Sequence, residues 1–335
     1  MKFRRLMGKR VCVGAGLLLI AVMGRMTPAP AQTPPTMPAP TTQTPAVQVP
    51  APQTPAAPQA PAAPQAGASA AASTPDKSGF TFFNPTPDDD LRSFCTDRPT
   101  KANSPCTVDA GHFQYESDLL NWTNIHQGGT TQNIYLFTNP TLKLGLTNTI
   151  DLELNMAPAE TVTTKSSLGR VSQTGVGDLF VRTKINLVSP EGGDFELAII
   201  PYVKIPTANP GIGNKAVEGG MIVPISVALP LDFTLTFDPE IDILRNSAND
   251  GRHANFQNLA NLSHALSSSV TGYIELWGQA NDDPGNATKQ ASVDVAVSWV
   301  AWSNLPNLQF DIGTNIGLTS ATPKAQVYVG VSQRF

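Results

Sequence analysis

The stretch Leu142-Lys-Leu-Gly-Leu-Thr-Asn-Thr-Ile-Asp-Leu-Glu-Leu-Asn-Met156 sets apolar and polar residues in strict alternation on both sides of Thr147-Asn148-Thr149. Side chains along a strand point to opposite faces with period 2, so this is a hairpin with one apolar and one polar face. The same beat returns in Leu179–Leu187, Phe233–Ile243, Val293–Trp299 and Leu308–Leu318. Twelve strands are expected, over about 111–122, 132–146, 149–157, 176–188, 194–205, 219–229, 232–245, 253–264, 268–279, 289–300, 307–318 and 325–335. Several run well beyond the ~5–6 residues usual in soluble sheets and match the ~9–11 that a tilted strand needs to cross a bilayer.

These features predict an all-β fold, a closed antiparallel transmembrane β-barrel of about twelve strands. A soluble sandwich also alternates, but two further features favour the barrel. Connections 147–148, 189–193, 230–231, 265–267 and 301–306 are short. Those at 123–131, 158–175, 206–218, 246–252 and 280–288 are mostly longer, as short periplasmic turns and long outside loops require. Within lipid every backbone N–H and C=O needs an internal partner, which only helices and closed barrels supply.

The remainder of the chain reads as address and tether. Residues 1–31 carry Lys2, Arg4, Arg5, Lys9 and Arg10, an apolar run from Val11 to Gly24 and Ala29-Pro30-Ala31, the pattern of a cleaved signal peptide. Its removal leaves 16 basic against 26 acidic residues, a formal net charge of −10. That excess of acid argues against a nucleic-acid partner. Residues 32–78 form a Pro/Ala-rich linker; 14 prolines and no charged residue fall within 28–75, so the stretch cannot build a core. Residues 79–110 are expected as a periplasmic N-terminal segment and 111–335 as the outer-membrane barrel. After signal removal Cys95 and Cys106 remain, and an oxidising compartment predicts a disulfide between them worth about 3 kcal/mol.

Four segments, Thr96–Thr100 (TDRPT), Ser104–Asp118 (SPCTVDAGHFQYESD), Leu144–Leu154 (LGLTNTIDLEL) and Gly175–Ile185 (GVGDLFVRTKI), resemble the outer-membrane transporters linked to phenol meta-pathway degradation. The resemblance covers roughly 92–335. It implies an outer-membrane channel or transporter in a Gram-negative bacterium, and by analogy a small, aromatic solute. The ending Val327-Tyr-Val-Gly-Val-Ser-Gln-Arg-Phe335 resembles the assembly signal of bacterial outer-membrane proteins, with Phe335 as its terminal aromatic. It implies the barrel assembly machinery and outer-membrane lipid as partners, and the even strand count returns both chain termini to the periplasm.

If the apolar parity meets lipid, the opposite parity lines the lumen. Inward acids are then Glu116, Asp118, Asp151, Glu153, Asp178, Asp238, Glu240, Asp242, Glu275, Asp294 and Asp311. Inward bases are Lys143, Arg182, Lys184 and Lys204. Such charges cannot sit unpaired in a dry interior. The lumen is therefore wet or cross-linked by ion pairs, with Asp178, Arg182 and Lys184 expected to pair across to the acids of the preceding strand. An acid-rich pore favours cations or neutral polar solutes.

Two other readings stand beside the channel: a structural anchor with a plugged barrel and a wall-associated arm, and a surface hydrolase using Asp250, His253, Asp282 and Asp283 of two outside loops. "NSANDGRH" and "NDDPGN" are also ordinary turn chemistry. No zinc spacing, Walker motif or nucleophile elbow occurs, and no cofactor or metal site is expected. A barrel predicts heat-modifiable gel mobility in the membrane fraction: unboiled protein should migrate apart from boiled protein, and one common band would exclude the fold.

Overall fold

The computed structural model describes residues 76–302 and 304–335. The signal peptide and all but the last three residues of the Pro/Ala linker lie outside the described residues. Sixteen strands form one sheet: β1 (Phe113–Gln127), β2 (Thr130–Thr147), β3 (Ile150–Asn155), β4 (Glu160–Ser166), β5 (Gly169–Gly175), β6 (Leu179–Val188), β7 (Phe195–Ile205), β8 (Glu218–Ile222), β9 (Ile225–Leu229), β10 (Phe233–Phe237), β11 (Glu240–Arg245), β12 (Arg252–Ser267), β13 (Val270–Asn281), β14 (Thr288–Val300), β15 (Leu308–Gly317) and β16 (Ala325–Arg334). All pairings are antiparallel, and β1 pairs with β16, which closes the sheet.

Four pairs of these strands are halves of single crossings: β3 with β4, β5 with β6, β8 with β9, and β10 with β11. Neighbouring strands such as β2, β7 and β12 bridge both halves. The chain therefore crosses twelve times, as the alternation predicts. Three interruptions fall at Pro158, Pro224 and Pro239, which have no N–H to give the ladder. The ladder is patched around two of them: Val223 N donates to Pro239 O at 2.9 Å and Ala198 N to Pro224 O at 3.0 Å.

Two connections differ from expectation. The stretches 123–131 and 158–175 are not long loops. They are strand extensions closed at 128–129 and 167–168. Gly128 (φ 55°) and Gly129 (φ 75°) supply the two left-handed residues of a tight hairpin. The second extension is rich in Thr and Val, and hydroxyl pairs Thr161–Thr174 and Thr163–Ser172, both 2.9 Å, tie its two strands. The looser connections at this end are 206–217, 246–251, 282–287 and 318–324.

The molecule is polar inside and apolar outside. Asp151, Glu153, Asn255, Glu275, Gln290 and Asp294 are fully buried, while Ile274, Leu276, Val295, Ile312 and Ile316 stand exposed. A soluble sandwich would reverse this. The register between β1 and β16 shifts between Asp118 and Leu120, and Thr138 on β2 is left-handed (φ 58°). This bulge swaps the faces beyond it and brings Trp122 to the outward side, where its Nε1 donates to Asn133 Oδ1 at 3.1 Å. Phe335 sits at the closing seam: its N–H donates to Phe113 O at 2.8 Å and its ring lies 6.0 Å from the Phe113 ring.

Because Leu276 faces outward midway along β13, Leu276→Arg should cost about 2–4 kcal/mol when the barrel is unfolded from lipid by urea. A change below 0.5 kcal/mol (roughly the size of a neutral surface substitution) would place that face away from lipid.

Candidate functional site

The inward charges do not line an empty tube. Residues 92–109, expected in the periplasm, enter the lumen and make a circuit of its wall. The correction has a physical cause: a wall this acidic needs cations, and this segment brings them. Arg98 donates from Nε and Nη2 to Asp311 (2.9 and 2.7 Å) and from Nη1 to Asp118 (2.7 Å). Thr100 Oγ1 accepts from Asn261 Nδ2 at 3.0 Å. The Lys101 ammonium pairs with Asp294, and the backbone N–H groups of Lys101 and Ala102 donate to Glu275 at 3.3 and 3.1 Å. Asn103 donates from N and Nδ2 to Asp238, both at 2.8 Å. Pro105 O accepts from Asn186 Nδ2 at 3.0 Å, and Val108 N donates to Asp151 at 3.1 Å.

Successive residues thus engage β15, β13 and β14, the β10–β11 junction, β6 and β3. Asp97 closes the circuit, with Lys143 Nζ at 2.5 Å and Lys184 Nζ at 2.8 Å. Burial by itself would push the Asp97 carboxyl up, but the two ammonium groups outweigh it and hold it well below the usual carboxylate range. Lys143 also reaches Glu116 (2.6 Å), and Lys184 reaches Glu153 (3.4 Å).

Cys95 and Cys106 are disulfide-bonded, with Cα atoms 6.6 Å apart, and close the loop that carries Asp97, Arg98, Lys101 and Asn103. Arg98 lies so close to β16 that any side chain at Gly330 would collide with its guanidinium. One apolar contact joins loop to wall: Ala102 packs on Leu259 and Trp277, with Lys101 Nζ 4.7 Å from the Trp277 ring centre. At the end nearer the termini, buried Asp109 accepts from Arg92 Nε (3.1 Å) and Arg334 Nη1 (3.2 Å). In the connection beyond, burial alone would raise Glu191, yet hydrogen bonds from Lys77 and Asn148 hold it below its ordinary range.

Of the fifteen inward residues expected from parity, ten contact this loop or the ions that hold it: Glu116, Asp118, Lys143, Asp151, Glu153, Lys184, Asp238, Glu275, Asp294 and Asp311. The other five, Asp178, Arg182, Lys204, Glu240 and Asp242, lie on the wall away from the loop. Asp178 meets Lys204 at 3.2 Å. Tyr202 donates to Asp242 at 2.5 Å and to Glu240 at 3.3 Å, and Asn255 and Gln257 also donate to Asp242. Arg182 lies over the rings of Phe180 and Tyr202. The expected pairing of Asp178 and Arg182 with the acids of β3 does not form; of that trio only Lys184 reaches Glu153.

Parity did not single out Asp97, Arg98, Lys101, Asn103, Arg92, Asp109 and Trp277. For Asp97, Arg98, Lys101 and Asn103 the signal was the charge of "TDRPTKANSPC" lying ahead of the first strand. Of the alternative outside-loop cluster, Asp250 and Asp283 hold turns, and His253 on β12 meets Asn246 Oδ1 through Nδ1 at 3.0 Å. Asp283 accepts from Ser247 N (2.9 Å) and Gly285 N (3.0 Å), and although burial raises its pKa, these bonds bring it below the ordinary range. Asp250 accepts from Asn246.

The fold has the closed antiparallel architecture of Gram-negative outer-membrane proteins. Residues 96–335 match the family described as "Putative MetA-pathway of phenol degradation", and the chain belongs to that family. Among solved structures it is similar to an outer membrane channel from Pseudomonas putida F1, at 14% identity and a TM-score of 0.51, covering 72% of this chain and 100% of that one. The NanC porin matches at 10% identity and a TM-score of 0.42 over 66% of this chain and 98% of its own, and the translocator domain of autotransporter NalP from Neisseria meningitidis at 12% and 0.41 over 67% and 88%. No curated protein matches the sequence.

Arg98→Ala should cost about 3–5 kcal/mol of barrel stability, because it strands Asp118 and Asp311. Asp311→Asn in the same background should recover part of that loss. Strictly additive urea midpoints across the double-mutant cycle would rule out the coupling.

Proposed function

We propose that this protein is an outer-membrane channel that passes a small polar solute through an acid-rich, hydrated lumen narrowed by the 92–109 loop. The observation that carries this reading is the wall patch the loop leaves free. Gln290 is fully buried with neither amide atom partnered among the described residues, and Asn255 Oδ1, Gln257 Oε1 and Gln279 Oε1 likewise have no partner among them. Buried amides left so are satisfied by water, so a wet route alongside the loop is expected. Hydroxyl and amide groups of a solute could replace that water. The family link to phenol degradation makes a hydroxylated aromatic a natural candidate, with Tyr202, Arg182 and Phe180 offering ring and cation contacts.

The reading places both termini in the periplasm, with residues 1–31 as signal peptide, 32–78 as linker and Phe335 as the residue read by the barrel assembly machinery. The inserted loop favours a second reading, the closed structural anchor, because ion pairs all round the lumen would resist displacement. Against the hydrolase reading, Asp283 is held as a turn cap by backbone amides and His253 Nδ1 meets Asn246 Oδ1 rather than a carboxylate.

Single-channel recording of the full chain in planar bilayers separates the two. The channel predicts small, cation-selective conductance steps that grow when Arg98→Gln and Lys101→Gln loosen the loop. Silence in both wild type and the loosened variant would leave the anchor.

A further inference from the structure

The strands sort their charges by face. Every acid on a described strand points inward. Outward-facing bases are Lys165, Arg170, Arg245, Arg252 and Lys289, all near the strand ends farthest from the termini. Four of them form two like-charge cross-strand pairs: Lys165 opposite Arg170, and Arg245 opposite Arg252. Like charges directly opposite destabilise a sheet. Among the described residues no carboxylate lies within salt-bridge distance of either pair.

Arg252, which lies opposite Arg245 across the strands, stands at the mouth of an apolar groove. A furrow of about 500 Å³ runs over β7, β8 and β11, lined by Val203, Gly219, Met221, Ile241 and Ile243, and reaches Arg252. Gly219 pairs with Val203 on one side and Ile243 on the other, so its missing side chain forms the floor between two exposed aliphatic walls. Ile241, Ile243 and Arg245 follow one another on the outward face of β11, so the lining passes from aliphatic to cationic within two side-chain steps, ~7 Å each.

We propose that this groove with Arg245 and Arg252 binds a phosphorylated lipid of the outer leaflet, an acyl chain lying over Gly219 and a headgroup phosphate bridging the two guanidinium groups. The chemistry is complementary at both ends. Aliphatic walls facing lipid accept a chain, and paired planar guanidiniums bind phosphate through two donors each. Assignment to the outer leaflet rests on the orientation given under the proposed function; the binding itself does not depend on solute passage.

The test is native mass spectrometry of the full folded barrel in detergent, titrated with bis-phosphorylated lipid A, with the same lipid stripped of phosphate, and with inorganic phosphate as competitor. Retention of the phosphorylated lipid is expected, with occupancy at least about tenfold lower for the stripped lipid and for Arg245→Gln/Arg252→Gln. Val203→Trp, a lipid-facing change that fills the furrow, should lower it as well. Heat-modifiable mobility verifies that each variant is folded. Equal binding of the stripped lipid, unchanged binding by the double variant, or displacement by inorganic phosphate alone would overturn the proposal. So would loss on Lys165→Gln/Arg170→Gln with Arg245→Gln/Arg252→Gln unaffected. Conductance is read separately, so a silent barrel that still holds lipid refutes the channel and leaves the lipid site intact.

Discussion

An acid pointing into a barrel must find a cation or water, and this requirement organises the molecule. Period-2 alternation sends every strand acid to the same side of the sheet, and closing the sheet gathers them into one space. The wall answers with Lys143, Lys184, Lys204, Arg182 and Arg334, too few for its carboxylates. The lumenal loop contributes Arg92, Arg98 and Lys101, together with backbone N–H groups aimed at Glu275, Asp238 and Asp151. Uncompensated burial of one such charge costs several kcal/mol, so loop and wall are halves of one electrostatic structure.

The same logic explains the unusual character of the loop. Its apolar contacts are few and scattered, with buried Val108 and Ala102 against Leu259 and Trp277. A segment held this way needs its polar groups at fixed positions, which long flexible side chains alone hold poorly. The Cys95–Cys106 bond and the short spacing from Asp97 to Asn103 restrict where those groups can go. Asp97 turns the arrangement around, since it is the acid of the disulfide-closed ring and accepts from the wall cations Lys143 and Lys184. Loop and wall each supply both signs, so a sideways slip of the loop would set like charges together.

What could be read from sequence follows from this division. Alternation is a local property of a strand, so the twelve crossings and the outward placement of the aliphatics were legible from parity. Strict alternation counted from Phe113 sets Trp122 on the inward face, and the Asp118/Leu120 bulge is what turns it outward. The circuit of 92–109 was not legible, because a segment without secondary structure carries no period, and its partners lie as far as Asp311. The hairpin extensions to Gln127 and Ser166 were hidden for another reason. Thr-rich polar strands lose the apolar–polar contrast once they no longer face a purely apolar medium.

Register is therefore the quantity on which both faces depend. A one-residue slip in any crossing would send its acids to the outer face and its aliphatics into the charged lumen. The three proline interruptions let each broken crossing absorb irregularity locally, with neighbours bridging both halves, so that β11 keeps Asp242 inward and Ile241 outward despite the break before it. Gly219 and Gly220 show how finely one crossing serves both sides. Gly220 faces inward, where its missing side chain lets Tyr202 and Asp242 meet, and Gly219 faces outward, where its missing side chain opens the furrow. Two adjacent glycines thus shape the lumen and the outer surface at the same height, each through the space it leaves.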